Sequence, residues 1–252
     1  MGLAMSIASP AAFVLAGILA VAIPLTGPFE RRIYQSAPST WLKLATYGVN
    51  VMALWALTAT AAWIVGWGEL FASPEKGTSW LWGAPVSTFV AALAVAVYAA
   101  VGLMPLIQSL RGPRWRRAYA AAYRRSLADI PGFLPTTALE RAAWAPLSLT
   151  AGFCEEVLCR GFLIRFLHGP GIGMPVIGAL VAAAIIFRFA HLYQCAKGVA
   201  GTAIAGLCFG LLFLLSGSLI PGIILHVLVD LQVPFVLHPT PEDAPYRPRP
   251  DR

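Results

Sequence analysis

Long apolar runs separated by short polar loops constrain this chain more than anything else in it. They fall at about Ile7 to Thr26, Trp41 to Trp67, Trp82 to Ile107, Thr137 to Leu167, Met174 to Tyr193, Gly198 to Leu215 and Leu219 to Leu237. A stretch of about 20 apolar residues is what an α-helix needs to cross a bilayer. In lipid only helices and closed barrels satisfy their own backbone groups. The chain is 58% hydrophobic and only 12% charged, and Trp63 and Trp67 stand where an interfacial belt is expected. The expected fold is therefore all-α: a polytopic integral membrane protein with about seven transmembrane helices. No room remains for a sizeable soluble domain. The first run, with no basic segment before it and no trusted cleavage site, reads as a retained span and not a removed signal peptide.

The net charge of +7 sits in the loops, so it points to membrane orientation and anionic headgroups rather than to nucleic acid. Its densest part is Arg111 to Arg125. On a helical wheel Trp115, Tyr119, Tyr123, Leu127 and Ile130 fall on one side, with Arg114, Arg117, Arg124 and Arg125 mostly on the other. That is the pattern of a helix lying in the membrane interface against anionic lipid. The positive loops follow the first and third runs and recur in the tail, which puts the N-terminus outside and the C-terminus in the cytosol. The chain divides into N-terminal transmembrane helices (1–110), a basic interfacial segment (111–135), a membrane core (136–238) and a Pro-rich, disordered tail (239–252). Cys154, Cys159, Cys195 and Cys208 lie within or beside apolar runs without a CxxC pair, which reads as buried thiols and not a disulfide framework.

Three apolar runs carry ionisable groups that a lipid-facing helix would not tolerate. Glu155, Glu156 and Arg160 lie within the fourth run, His191 ends the fifth, and His226 and Asp230 lie in the seventh. Each charge at the bilayer centre costs about 2.5–3.5 kcal/mol on insertion scales, so such residues face a cavity or one another. Glu156 and Arg160 are four apart and share a helix face, as do Phe187 with His191 and His226 with Asp230. Glu155 is turned about 100° from Glu156 and lacks a local partner. The groups are expected to converge on one interior cavity, where a carboxylate and imidazoles suit the activation of water. The fourth run is longer than a minimal span, so a bend is expected near Pro146 or Gly152, after a start capped by Thr136 or Thr137 with Glu140 in the first turn. Small residues in the sixth run, Gly201, Ala203, Ala205, Gly206 and Gly210, predict close helix packing.

These residues resemble the three signature motifs of the CPBP intramembrane proteases, the group of the CAAX prenyl endopeptidase Rce1 and its bacterial Abi-type relatives. The motifs are Glu155-Glu156-x-x-x-Arg160, Phe187-x-x-x-His191 and His226-x-x-x-Asp230, and the resemblance spans roughly Ala138 to Leu237. It implies hydrolysis of a peptide bond near the C-terminus of a membrane-associated protein or peptide, in the inner membrane of a bacterium. Glu155 would be the general base, His191 would hold the water, and His226 with residue 230 would stabilise the oxyanion. Glu156, Arg160 and Phe187 would support them. Asp230 stands where many members of that group have Asn. Two alternatives remain at this level. Glu155, His191 and His226 are the ligand types of a His2Glu zinc centre, although no HExxH occurs. The polar cavity would also serve a non-catalytic binding, immunity or scaffold protein. A transporter is disfavoured because the first three runs do not repeat the motif half.

Overall fold

The computed structural model describes residues 7–36, 38–74, 85–170, 172–194 and 196–237. The tail from 239, Cys195 and the start of the third run fall outside them. Among the described residues no strand forms, and a lone bridge pairs Ala72 with Ser218. The helices are α1 (Pro10–Gln35), α2 (Thr40–Val65), α3 (Trp67–Phe71), α4 (Pro85–Ser109), α5 (Pro113–Ser126), α6 (Ala138–Glu156), a π-helical stretch Val157–Ile164, α7 (Arg165–His168), α8 (Val176–Ala190), α9 (Ala196–Ser216) and α10 (Ile220–Val236). Pro10–Gln35, Thr40–Val65 and Ser87–Ser109 are long and apolar enough to cross a membrane, and shorter apolar helices follow in the C-terminal half. The outer surface is itself apolar: Trp41, Met52, Phe89 and Val101 are each more than 60% exposed. In water such a surface would drive association; against lipid tails it is the proper exterior. The protein is an all-helical, polytopic membrane protein.

Local chemistry sets the helix ends. Ser9 caps α1 and Ser39 caps α2, each accepting a backbone N–H of the first turn. Thr137 and Glu140 form the reciprocal capping box that starts α6. Two expectations shift. The first helix continues past Thr26 to Gln35, taking Glu30, Arg31 and Arg32 into its last turns. The departure from α geometry in the fourth run comes at Val157–Ile164, after Pro146 and Gly152 and not at them. Every residue of that π-helical stretch is buried. A Cβ on Gly161 would stand 2.6 Å from the carbonyl oxygen of Leu70, so this stretch accommodates a close pass of the α3 backbone.

Contacts between elements define two ends. At one end Gly132 N–H bonds Tyr34 O, Lys43 Nζ bonds Leu134 O, and Arg116 lies over Phe235. At the other, Arg165 pairs with Glu69, Ser73 N–H bonds Gly217 O, and Phe13 packs on Phe166. Helix α5 lies at the first end. Tyr119, Tyr123 and Leu127 pack on a core of Tyr47, Trp144, Val233 and Val236, while Arg114, Arg124 and Arg125 face outward. A buried ion pair ties the two halves together there: Lys43 Nζ stands 3.0 Å from Glu140 Oε2. Glu140 also accepts from Thr136 N–H and Thr40 Oγ1.

Candidate functional site

Helix α6 runs along α10 at close range because small residues line the contact. A Cβ on Gly152 would stand 2.8 Å from Val227 N, and one on Gly222 would stand 3.1 Å from Glu156 Oε2. Helices α8 and α9 meet in the same way, with Gly206 against Ala184 and Gly210 against Leu180. Of the small residues expected to serve packing, Gly201 has nothing within 4 Å of its Cβ position. These contacts bring the polar groups of α6, α8 and α10 into one place.

Glu156 is fully buried and its Oε1 holds two partners: Arg160 Nη1 at 3.0 Å and His226 Nδ1 at 2.9 Å. Glu156 and Arg160 pair along one helix face as their spacing suggests, and the same oxygen also reaches across to α10. A carboxylate oxygen only accepts, so an ionised Glu156 fixes the His226 proton on Nδ1 and leaves Nε2 facing the other acids. His226 Nε2 lies 3.8 Å from Glu155 Oε2 and 3.8 Å from Asp230 Oδ2. His191 is not on the α8 helix but at its C-cap. Its Nδ1 donates to Phe187 O at 2.8 Å, and its Nε2 stands 3.9 Å from Glu155 Oε2. Both rings thus present Nε2 to Glu155 Oε2. The 3.8–3.9 Å separations exceed hydrogen-bond length.

Around this polar core the walls are aromatic. The Arg160 guanidinium lies 4.5 Å from the Phe187 ring centre and 5.2 Å from that of Phe209, and its Nη2 donates to Gly206 O. Phe209 stacks on His226 with centroids 4.9 Å apart and planes at 16°. Trp144 Nε1 donates to the backbone oxygen of Asp230. Phe209, Gly222 and Trp144 are parts of the site that sequence reasoning missed. Phe209 is an apolar residue in an apolar run and gives no contrast to read. Among the described residues, no group of three or more His, Cys, Asp or Glu is arranged to hold a metal ion. Glu155, His191 and His226 meet, with both Nε2 atoms 3.8–3.9 Å from Glu155 Oε2.

Fold and site together define a membrane protein whose helices enclose two glutamates, two histidines and an aspartate. Residues 137–232 match the family model of type II CAAX prenyl endopeptidase Rce1-like proteins, so this segment of the chain is similar to that family. The matched segment opens at the capping Thr137 and closes at Gln232, so it contains the whole cluster. No curated protein and no solved structure matches the chain.

Proposed function

We propose that this protein is an intramembrane endopeptidase that hydrolyses a peptide bond near the C-terminus of a membrane-associated protein or peptide, through water activated by Glu155. The observation that carries the reading is the convergence of both imidazole Nε2 atoms on Glu155 Oε2. A water held between Glu155 and His191 gives its proton to the carboxylate, and its oxygen attacks the peptide carbonyl carbon. The C–N bond then breaks, and the Glu155 carboxylic acid returns the proton to the leaving amine. With Nδ1–H held by Glu156, His226 offers a donor to the oxyanion at Nε2 only as imidazolium. The Glu156 carboxylate is the counter-ion which that form requires. Asp230, as a carboxylate 3.8 Å from Nε2, favours the cationic ring and does not donate itself.

The test is Glu155→Gln. Comparative membrane proteomics of cells with the wild type or the variant should reveal a protein left unprocessed at its C-terminus when the variant is present. The variant itself should remain folded and inserted. Unchanged processing would refute the reading and favour a non-catalytic binding, immunity or scaffold role for the same cavity.

The same reading includes an orientation. Arg31, Arg32, Arg111 and the exposed arginines of α5 gather at the end that holds the α1–α2 connection and the end of α10. That end is the cytosolic face of a bacterial inner membrane, with the N-terminus outside, and Arg111 to Arg125 contact anionic headgroups. Thiol labelling of an Arg125→Cys variant in intact cells should require a membrane-permeant reagent. Labelling by an impermeant one would reverse the orientation.

A further inference from the structure

Helix α4 lies outside the matched segment, yet it is built into the site. Gln232, 1% exposed, inserts its side-chain amide into the α4 ladder: Nε2 donates to Gly102 O at 2.7 Å, and Leu106 N–H donates to Oε1 at 3.0 Å. These are the acceptor and donor of one helical i, i+4 step, next to Pro105, which has no N–H to give. Gln232 also donates to Val229 O in its own helix, so α4 and α10 are locked in one register. One turn before Gly102, on the same face, Tyr98 meets Phe209 edge to face, with centroids 5.4 Å apart and planes at 79°.

Phe209 therefore stands between an anchored helix and the site. It is 2% exposed and touches both partners of Glu156 Oε1, the Arg160 guanidinium and the His226 ring. The Glu156 bond fixes one nitrogen of His226 but leaves the ring able to tilt about that bond. A flat ring at 4.9 Å and 16° removes the tilt and sets where Nε2 points. We propose that Phe209 is a positioning residue for His226 and that Tyr98 buttresses it, so the working unit extends to α4 beyond the matched segment.

The rate arm of the test rests on the endopeptidase reading; a spectroscopic arm does not. Protein labelled with 15N-histidine and reconstituted in bilayers carries four histidines, His168, His191, His226 and His238. The His226 signals are those that vanish in His226→Asn. Solid-state NMR should show wild-type His226 as one species protonated at Nδ1. Phe209→Leu should broaden or split these signals, Phe209→Tyr should restore them, and Tyr98→Ala should broaden them less while Tyr98→Phe does not. In parallel, Phe209→Leu should lower kcat about two- to tenfold, the worth of one aromatic pair, with KM little changed. A Phe209→Leu protein with the wild-type His226 signals overturns the proposal, whatever its rate. If Phe209→Leu does not fold, the two Tyr98 variants decide: identical His226 signals in both overturn it. Altered His226 signals in a protein whose wild type cleaves nothing would support the positioning role and fail the endopeptidase reading alone.

Discussion

Replacing Gly152 by alanine drives α6 from α10 by more than the site tolerates. The new Cβ would stand 2.5 Å from Val227 Cγ2, 2.8 Å from Val227 N and 3.1 Å from Val227 Cα. Two of these three atoms are backbone and cannot rotate aside. Restoring ordinary contact with the nitrogen requires the helices to part by about 0.6 Å. Val227 adjoins His226, whose bond to Glu156 is 2.9 Å long. A shift of about 0.6 Å along that line stretches the bond to about 3.5 Å, where hydrogen bonding has largely gone. Overpacking of this kind costs about 1–3 kcal/mol of stability, and misplacement of a reacting group by about 1 Å costs about 10²-fold in rate. The expected Gly152→Ala protein unfolds earlier in denaturant and cleaves about ten- to a hundredfold more slowly in proteoliposomes. Gly48→Ala, inside α2 at a position with nothing within 4 Å, is the control and should be at least as stable as wild type and cleave at its rate. Val227→Ala removes only the Cγ2 contact and should not rescue. A Gly152→Ala protein that melts and cleaves like wild type would refute the account of close α6–α10 packing.

Two further outcomes follow from the same geometry. Lys43→Met strands the buried Glu140 carboxylate and should destabilise by about 3–5 kcal/mol in denaturant titration; adding Glu140→Gln should recover part of the loss. Purified protein dialysed against a chelator should keep its rate, and a loss restored by about one equivalent of zinc would put metal in place of a glutamate-activated water.

The parts legible in the sequence are those marked by contrast or by local spacing. Charges inside apolar runs identify Glu155, Glu156, Arg160, His226 and Asp230 because lipid makes them costly, and Thr137 with Glu140 reads as a cap because both partners lie within one turn. What stayed hidden depends on how helices pack. Lys43 looks like a solvated charge near a loop, and Glu140 like a cap alone, until α2 and α6 are laid side by side. Glu156 looks satisfied by Arg160 four residues on, and nothing in its neighbourhood announces a bond to a histidine 70 positions away. Pro146 drew the expected bend because it removes a donor, whereas the π-helical stretch falls where Gly161 passes Leu70, a contact without a local signature. Phe209 and Gln232 each work by touching another helix.

Asp230 tests how the charge in this site is divided. Its backbone oxygen is held by Trp144 Nε1 at 3.1 Å, so the position of the residue does not depend on its side chain. Its carboxylate stands 3.8 Å from His226 Nε2, near enough to attract a cationic ring but too far for a hydrogen bond. Glu156 already supplies the counter-charge at 2.9 Å on the opposite nitrogen, and does so fully buried, where the interaction is least screened. Asparagine has the shape of aspartate, adds an N–H donor and removes the charge. If Glu156 carries the electrostatic work, Asp230→Asn should cleave within about tenfold of wild type, because the amide can itself donate to the oxyanion. A fall in kcat of about a hundredfold or more at unchanged KM would show instead that the carboxylate at 230 is what holds the ring cationic. Glu156 would then be reduced to fixing the proton on Nδ1. Measuring kcat and KM for Asp230→Asn beside Glu156→Gln separates the two assignments, since only one of the acids can be the dominant counter-ion.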